Sequence, residues 1–220
     1  MPAVVLFLLE RNRTMKDSVL SYSDEIWLGV DYGARYAGTT AVVWCSGDRL
    51  QISQSQKKED VDSWLPALVL ELSAKWLFID APLSLPSAYR PELQGDDYMY
   101  RQCDRELKAM SPMFLGGLTA RAMQLASGLA SRGVLCMESY PAALARELYG
   151  GMPWKKKDKV GEEQLAAFAE RLLSGTGLQL ARPLESPHEA DALLAWWSGW
   201  RYHRGEHLSF GEEKEGLVIV

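Results

Sequence analysis

Three apolar runs end in an acid: residues 26–31 in Asp31, residues 75–80 in Asp80, and residues 134–138 in Glu138. Short apolar runs bounded by turn residues read as strands. In parallel α/β sheets, ligand sites lie beyond the carboxyl ends of the strands. A fourth acid, Asp191, follows Ser186-Pro187-His188-Glu189. That tetrapeptide is a helix start, with a hydroxyl cap, Pro at the first position and Glu at the third. His188 precedes Asp191 by three residues, so both project from one helical face. An acid on a helix otherwise rich in Ala, Leu and Trp is costly unless it is paired or holds a metal. Asp31, Asp80, Glu138, Asp191 and His188 therefore form the candidate catalytic set. Within it, Asp31, Asp80 and Asp191 are the candidate ligands for Mg or Mn, the hard cations that oxygen donors select. Two such ions can stabilise the attacking and leaving oxygens of phosphodiester cleavage. Each acid taken singly also has a structural role open to it. A strand-end Asp forms turns, and Glu138 suits an ion pair with an arginine.

The elements that would position these acids can be read from the pattern. Residues 26–31, 39–44 and 49–55 read as a three-strand antiparallel meander, with Ser46-Gly47-Asp48 as a hairpin turn. Val61, Trp64, Leu65, Leu68, Val69 and Leu72 share one helical face. Ser63 as N-cap would put Pro66 in the first turn, where its missing N–H does no harm. Residues 75–80 are then a strand reached by a crossover helix, which requires parallel pairing with the first strand. Residues 84–118 are irregular, with a short helix over 98–110. Helices follow over 119–131, 141–148, 162–173 and 186–203. Residues 174–185 read as a linker between helices, and residues 215–220 as a last strand at a sheet edge. The expected fold class is α/β: a mixed five-stranded sheet, the antiparallel meander plus parallel strands, flanked by helices. Residues 25–220 form a single domain, with the insertion at about 84–118. Residues 1–24 connect to no predicted element. They read either as an arm or as a stretch upstream of a start at Met15.

Basic residues that could meet phosphate are few. Arg101 and Arg105 flank Asp104 in the irregular stretch, where an arginine can clamp a phosphate with two parallel bonds. An Arg–Asp pair that holds the insertion in place explains them equally well. Arg121 begins a predicted helix, and Lys155 and Lys156 lie in the basic loop of residues 150–159. The formal net charge of −5 argues against avid nonspecific nucleic-acid binding. The chain of 220 residues, 47% hydrophobic and 24% charged, fits one globular domain. The three cysteines lack metal-type spacing and read as reduced thiols of a cytoplasmic protein. No apolar run approaches a membrane span.

The terminal segment His188-Glu189-Ala190-Asp191-Ala192-Leu193 resembles the last catalytic segment of RuvC-type Holliday-junction resolvases. A wider pattern resembles domain-of-unknown-function family 429, whose members are labelled RNase H-like nucleases. Its pieces are Gly29-Val30-Asp31, Ile79-Asp80-Ala81-Pro82-Leu83-Ser84-Leu85-Pro86, Arg101-Gln102-Cys103-Asp104-Arg105-Glu106, Glu138-Ser139-Tyr140-Pro141 and residues 188–191. The resemblance implies a ribonuclease H-like fold and a metal-dependent nuclease with nucleic acid as its partner. Two other functions compete. An actin-like ATP-dependent phosphotransferase also opens on a strand followed by Asp-x-Gly, as in Asp31-Tyr32-Gly33. Against it, 220 residues hold one such core where that class needs two. A non-catalytic binding protein could keep the fold without the chemistry, but acids at every expected position argue against that.

Overall fold

The computed structural model describes residues 25–154 and 159–220. The element order is β1 (Trp27–Asp31), β2 (Ala41–Ser46), β3 (Arg49–Gln54), α1 (Val61–Glu71) and β4 (Trp76–Asp80). Two 3-10 turns (Ser87–Tyr89 and Pro91–Leu93), α2 (Gln102–Leu107) and α3 (Pro112–Leu115) make up the irregular stretch. Then come α4 (Gly117–Ala130), β5 (Leu135–Ser139), α5 (Pro141–Tyr149), α6 (Glu162–Leu173), β6 (Gln179–Leu180), α7 (Pro187–Arg204), β7 (Ser209–Glu212) and β8 (Gly216–Ile219).

The strand order is β6-β3-β2-β1-β4-β5-β8-β7. Its five central strands have the expected arrangement: β1, β2 and β3 form an antiparallel meander, and β4 and β5 run parallel to β1. The sheet has eight strands, however, and not five. Residues 174–185 do not form a linker, because Gln179–Leu180 pairs with β3 and extends that edge. The C-terminal strand is not at an edge, because β8 lies between β5 and β7. Its Leu-Val-Ile run suits a buried position, and the more polar β7 takes the edge beside it.

Alternation along the strands sorts two cores. Leu28, Val30, Leu77 and Ile79 pack with Val61, Leu65 and Val69 of α1 and with Ala122 and Leu129 of α4. Trp27, Trp76 and Phe78 pack on the other face with α5, α6 and α7, where Leu144, Phe168, Leu193 and Trp196 are buried. Asp31 and Asp80 are in phase with Trp27 and Phe78, so they belong to the α7 face.

The helix ends show which local signals prevailed. Asp60, not Ser63, caps α1 and accepts the N–H of Asp62. This earlier start lets Val61 enter the core, 1% exposed. Pro66 consequently falls inside the helix, which forgoes one backbone bond there. The start of α7 follows the expected signal: Ser186 accepts the N–H of Glu189, and Pro187 holds the first helical position. Helix α7 lies close along β1 because Gly29 has no side chain. A Cβ there would stand 2.0 Å from the Trp196 N and 2.4 Å from the Ala192 O.

Candidate functional site

Asp31 and Asp80 are direct partners in the parallel register of β1 and β4, both at the C-terminal ends of their strands. In-register neighbours share a face, and adjacent strands lie about 4.7–4.9 Å apart. Asp31 and Asp80 are thus neighbours across the two strands on one face of the sheet. The N-terminal turn of α7 packs over this row. His188 Nδ1 lies 2.6 Å from Asp31 Oδ2. The histidine side chain is 42% exposed and the aspartate 15%. The bond to Asp31 raises the His188 pKa above its ordinary value, partial burial opposes the shift, and the charge of Asp191 adds to it. A raised pKa favours imidazolium, so the Nδ1–H donates to Asp31. Asp191 acts on His188 from the next turn of the same helix, half-buried at the same face.

Glu138 has a different position. It pairs with Ile79, one residue short of the Asp31–Asp80 row and out of phase with it in the pleat. Its Oε1 accepts from Arg101 Nη2, and its Oε2 accepts from Arg101 Nη1, each at 2.7 Å. Oε2 also accepts the Leu83 N–H at 2.9 Å. Burial pushes the carboxyl upward, and Arg101 on both oxygens opposes the shift. Arg101 is 1% exposed. Its remaining N–H groups go to Asp104 and to Ser84 Oγ, so all five donors are taken. Asp104 also accepts the Arg101 backbone N–H at the start of α2. The arginine is the strut between the irregular stretch and β5, and no N–H remains for a phosphate.

The other candidate basic residues scatter. Arg105 is exposed and bonded to Asp97. Arg121, on the first turns of α4, binds both oxygens of Asp62 and the Gly33 carbonyl, with its guanidinium 4.8 Å from the centre of the Tyr32 ring. Lys155 and Lys156 lie outside the described residues, as do residues 1–24.

Sequence reasoning missed two features of this end of the sheet. One is the network of Tyr32, Asp62 and Arg121, in which Tyr32 donates to Asp62 at 2.6 Å. It locks the segment after β1 onto α1 and α4. Nothing in local spacing marks it, because its members lie 30 to 89 positions apart. The other is Ser139, which a strand boundary one residue later would have placed beside Asp80.

A hard divalent cation fits the chemistry of this donor set. Mg usually keeps several waters and is bound by one or two carboxylates together with substrate phosphates. An in-register pair of aspartates supplies that much. An all-protein cage is not formed, since no three His, Cys, Asp or Glu side chains among the described residues are gathered for one ion.

No family model matches the chain, and no curated protein matches it. The resemblance to family 429 therefore rests on the motifs alone. Among solved structures, the chain is similar to T. thermophilus RuvC in complex with a Holliday junction substrate, at 15% identity and a TM-score of 0.41. The likeness covers 82% of this chain and 96% of that one. At that TM-score it decides neither fold family nor activity.

Proposed function

We propose that this chain is a ribonuclease H-like, metal-dependent nuclease that hydrolyses phosphodiester bonds at the Asp31–Asp80 row. The observation that carries the reading is the register. Two aspartates meet side by side at the C-terminal ends of adjacent parallel strands, with His188 of the overlying helix bonded to one of them. Meander and parallel strands in this order are what the proposed fold requires.

Asp31 and Asp80 would hold Mg or Mn together with water and the substrate phosphate, and the ion would polarise the phosphate and activate water. The chain's own groups then divide the work. Asp31 fixes the His188 ring through Nδ1, which leaves Nε2 turned away from that bond. His188 is half-exposed, so Nε2 can pass a proton to or from a substrate oxygen. The bond to Asp31 favours the protonated ring, which suits a proton donor to the leaving oxygen. Glu138 and Arg101 stand outside this chemistry and hold the neighbouring strand end in place.

The test is cleavage of end-labelled single-stranded, duplex and four-way-junction DNA and RNA, with Mg or Mn. Wild type should cut at least one of these, and Asp80→Asn should not. Equal cleavage by both proteins, or none by wild type on any substrate, would sink the proposal.

A further inference from the structure

Ser139 ends β5 and is 2% exposed. Its Oγ has no hydrogen-bond partner among the described residues. A buried hydroxyl left in that state pays its full desolvation cost, and native structures keep few of them. Its place in the sheet is informative. Ile79 pairs with Glu138, so Asp80 and Ser139 are the next positions along the same row. That row already contains Asp31 beside Asp80. Ser139 is also in phase with Met137, which packs on the α7 face. On its other side the row continues to Ile219, a buried apolar residue. Asp80 is thus the polar side chain that flanks Ser139 across the strands.

We infer that Ser139 is a positioning residue for Asp80: its hydroxyl and the Asp80 carboxylate share one buried water, which sets the carboxylate's orientation at the site. A buried water needs two to four polar partners, and the Ser139 hydroxyl and the Asp80 carboxylate at the adjacent position are two such groups. The inference deepens the proposed nuclease site and rests on that reading only for its consequence in cation binding. Groups that orient a ligating carboxylate typically alter metal affinity about 10- to 100-fold when removed.

The test compares cation-free crystal structures and Mn²⁺ calorimetry for wild type, Ser139→Ala and Ser139→Thr, all as full chains. Wild type should show an ordered water within hydrogen-bond distance of both Ser139 Oγ and Asp80. Ser139→Ala should lose that water and release Asp80 to other orientations. It should bind Mn²⁺ at least about tenfold more weakly, with an unchanged or higher melting temperature. Ser139→Thr keeps the hydroxyl and should restore both the water and the affinity. No shared water in wild type, or an Asp80 unmoved in Ser139→Ala, overturns the inference. If the water and the Asp80 shift are seen but no protein binds Mn²⁺, the positioning role stands and the metal-dependent nuclease fails.

Discussion

Two acid-rich corners lie at the same end of the sheet, and they are built on opposite terms. At Glu138 every charge is answered: Arg101 gives its five N–H groups to Glu138, Asp104 and Ser84, and the cluster is closed to water. At Asp31 and Asp80 two acids stand side by side, with one half-exposed histidine bonded to Asp31. The first arrangement is structural, because a buried ion pair with complete hydrogen bonding leaves nothing to offer a ligand. The second keeps carboxylates near solvent at a strand terminus, where ligands bind. Acid content does not separate the two corners. Phase in the pleat and burial do: Glu138, Arg101 and Asp104 are buried, whereas the His188 that caps the Asp31–Asp80 row is 42% exposed.

The largest effect is expected at the closed corner. Arg101→Ala strands Glu138 and Asp104 as buried charges and should cost about 3–5 kcal/mol of stability. Urea denaturation of the variant would measure it. A loss below about 1 kcal/mol would mean that the corner is not the strut described here.

Gly29→Ala should come next. The added Cβ meets helix backbone, at 2.0 Å from the Trp196 N, and backbone cannot rotate away. The cost should reach about 3 kcal/mol, the upper part of the overpacking range. Because α7 must lift off β1, the His188–Asp31 bond should open as well. In NMR spectra of the imidazole, His188 should then titrate closer to its ordinary value. A variant with full stability and an unaltered His188 would break the link between the glycine and the site.

The acid limb of stability offers a smaller test. The Arg121 hydrogen bonds hold the Asp62 carboxyl below its usual range, assisted by Tyr32. A folded-state pKa below the unfolded one contributes stability above about pH 4, and that stability is lost as pH falls through the depressed value. Asp62→Asn should therefore lose about 1 kcal/mol at pH 7, since the pair is partly exposed. It should also show a shallower decline in stability below pH 4. Parallel pH–stability curves for the two proteins would refute this.

Much of this architecture was legible in the sequence, for physical reasons. The runs ending in Asp31 and Asp80 are fully buried strands, and a crossover helix forces their parallel pairing, so composition and connectivity suffice. The Ser186-Pro187 signal set the start of α7 because capping is a local matter. Elements defined by distant partners were not legible. Gln179–Leu180 is too short to show a period and becomes a strand only through β3. The interior place of β8 depends on β7, whose Ser-Phe-Gly-Glu has no strand pattern of its own. The role of Glu138 turned on one residue of strand boundary. Read as the strand's end, it stands in line with Asp31 and Asp80. With β5 running to Ser139, the serine takes that position and the glutamate turns to Arg101.

The smallest stability effect should come from Asp31→Asn, and it sharpens the comparison most. Asp31 is bonded to a histidine that is 42% exposed, so solvent screens the pair and its loss should cost no more than about 1 kcal/mol. Removing one of two adjacent carboxylates also relieves their mutual repulsion, which offsets part of that cost. The response to cation should change far more. If Mn²⁺ binds the native protein at this row, wild type should gain about 2.7 kcal/mol at a free concentration of ~100 times its dissociation constant. Asp31→Asn should gain much less at the same concentration. Glu138→Gln should invert the pattern, with a large loss of stability and an undiminished gain on adding Mn²⁺, because its carboxylate faces Arg101. Melting curves of the three proteins with and without Mn²⁺ give both quantities at once. If Asp31→Asn and Glu138→Gln lose stability equally and neither differs from wild type in its response to the ion, then both corners are structural and the open one is no site.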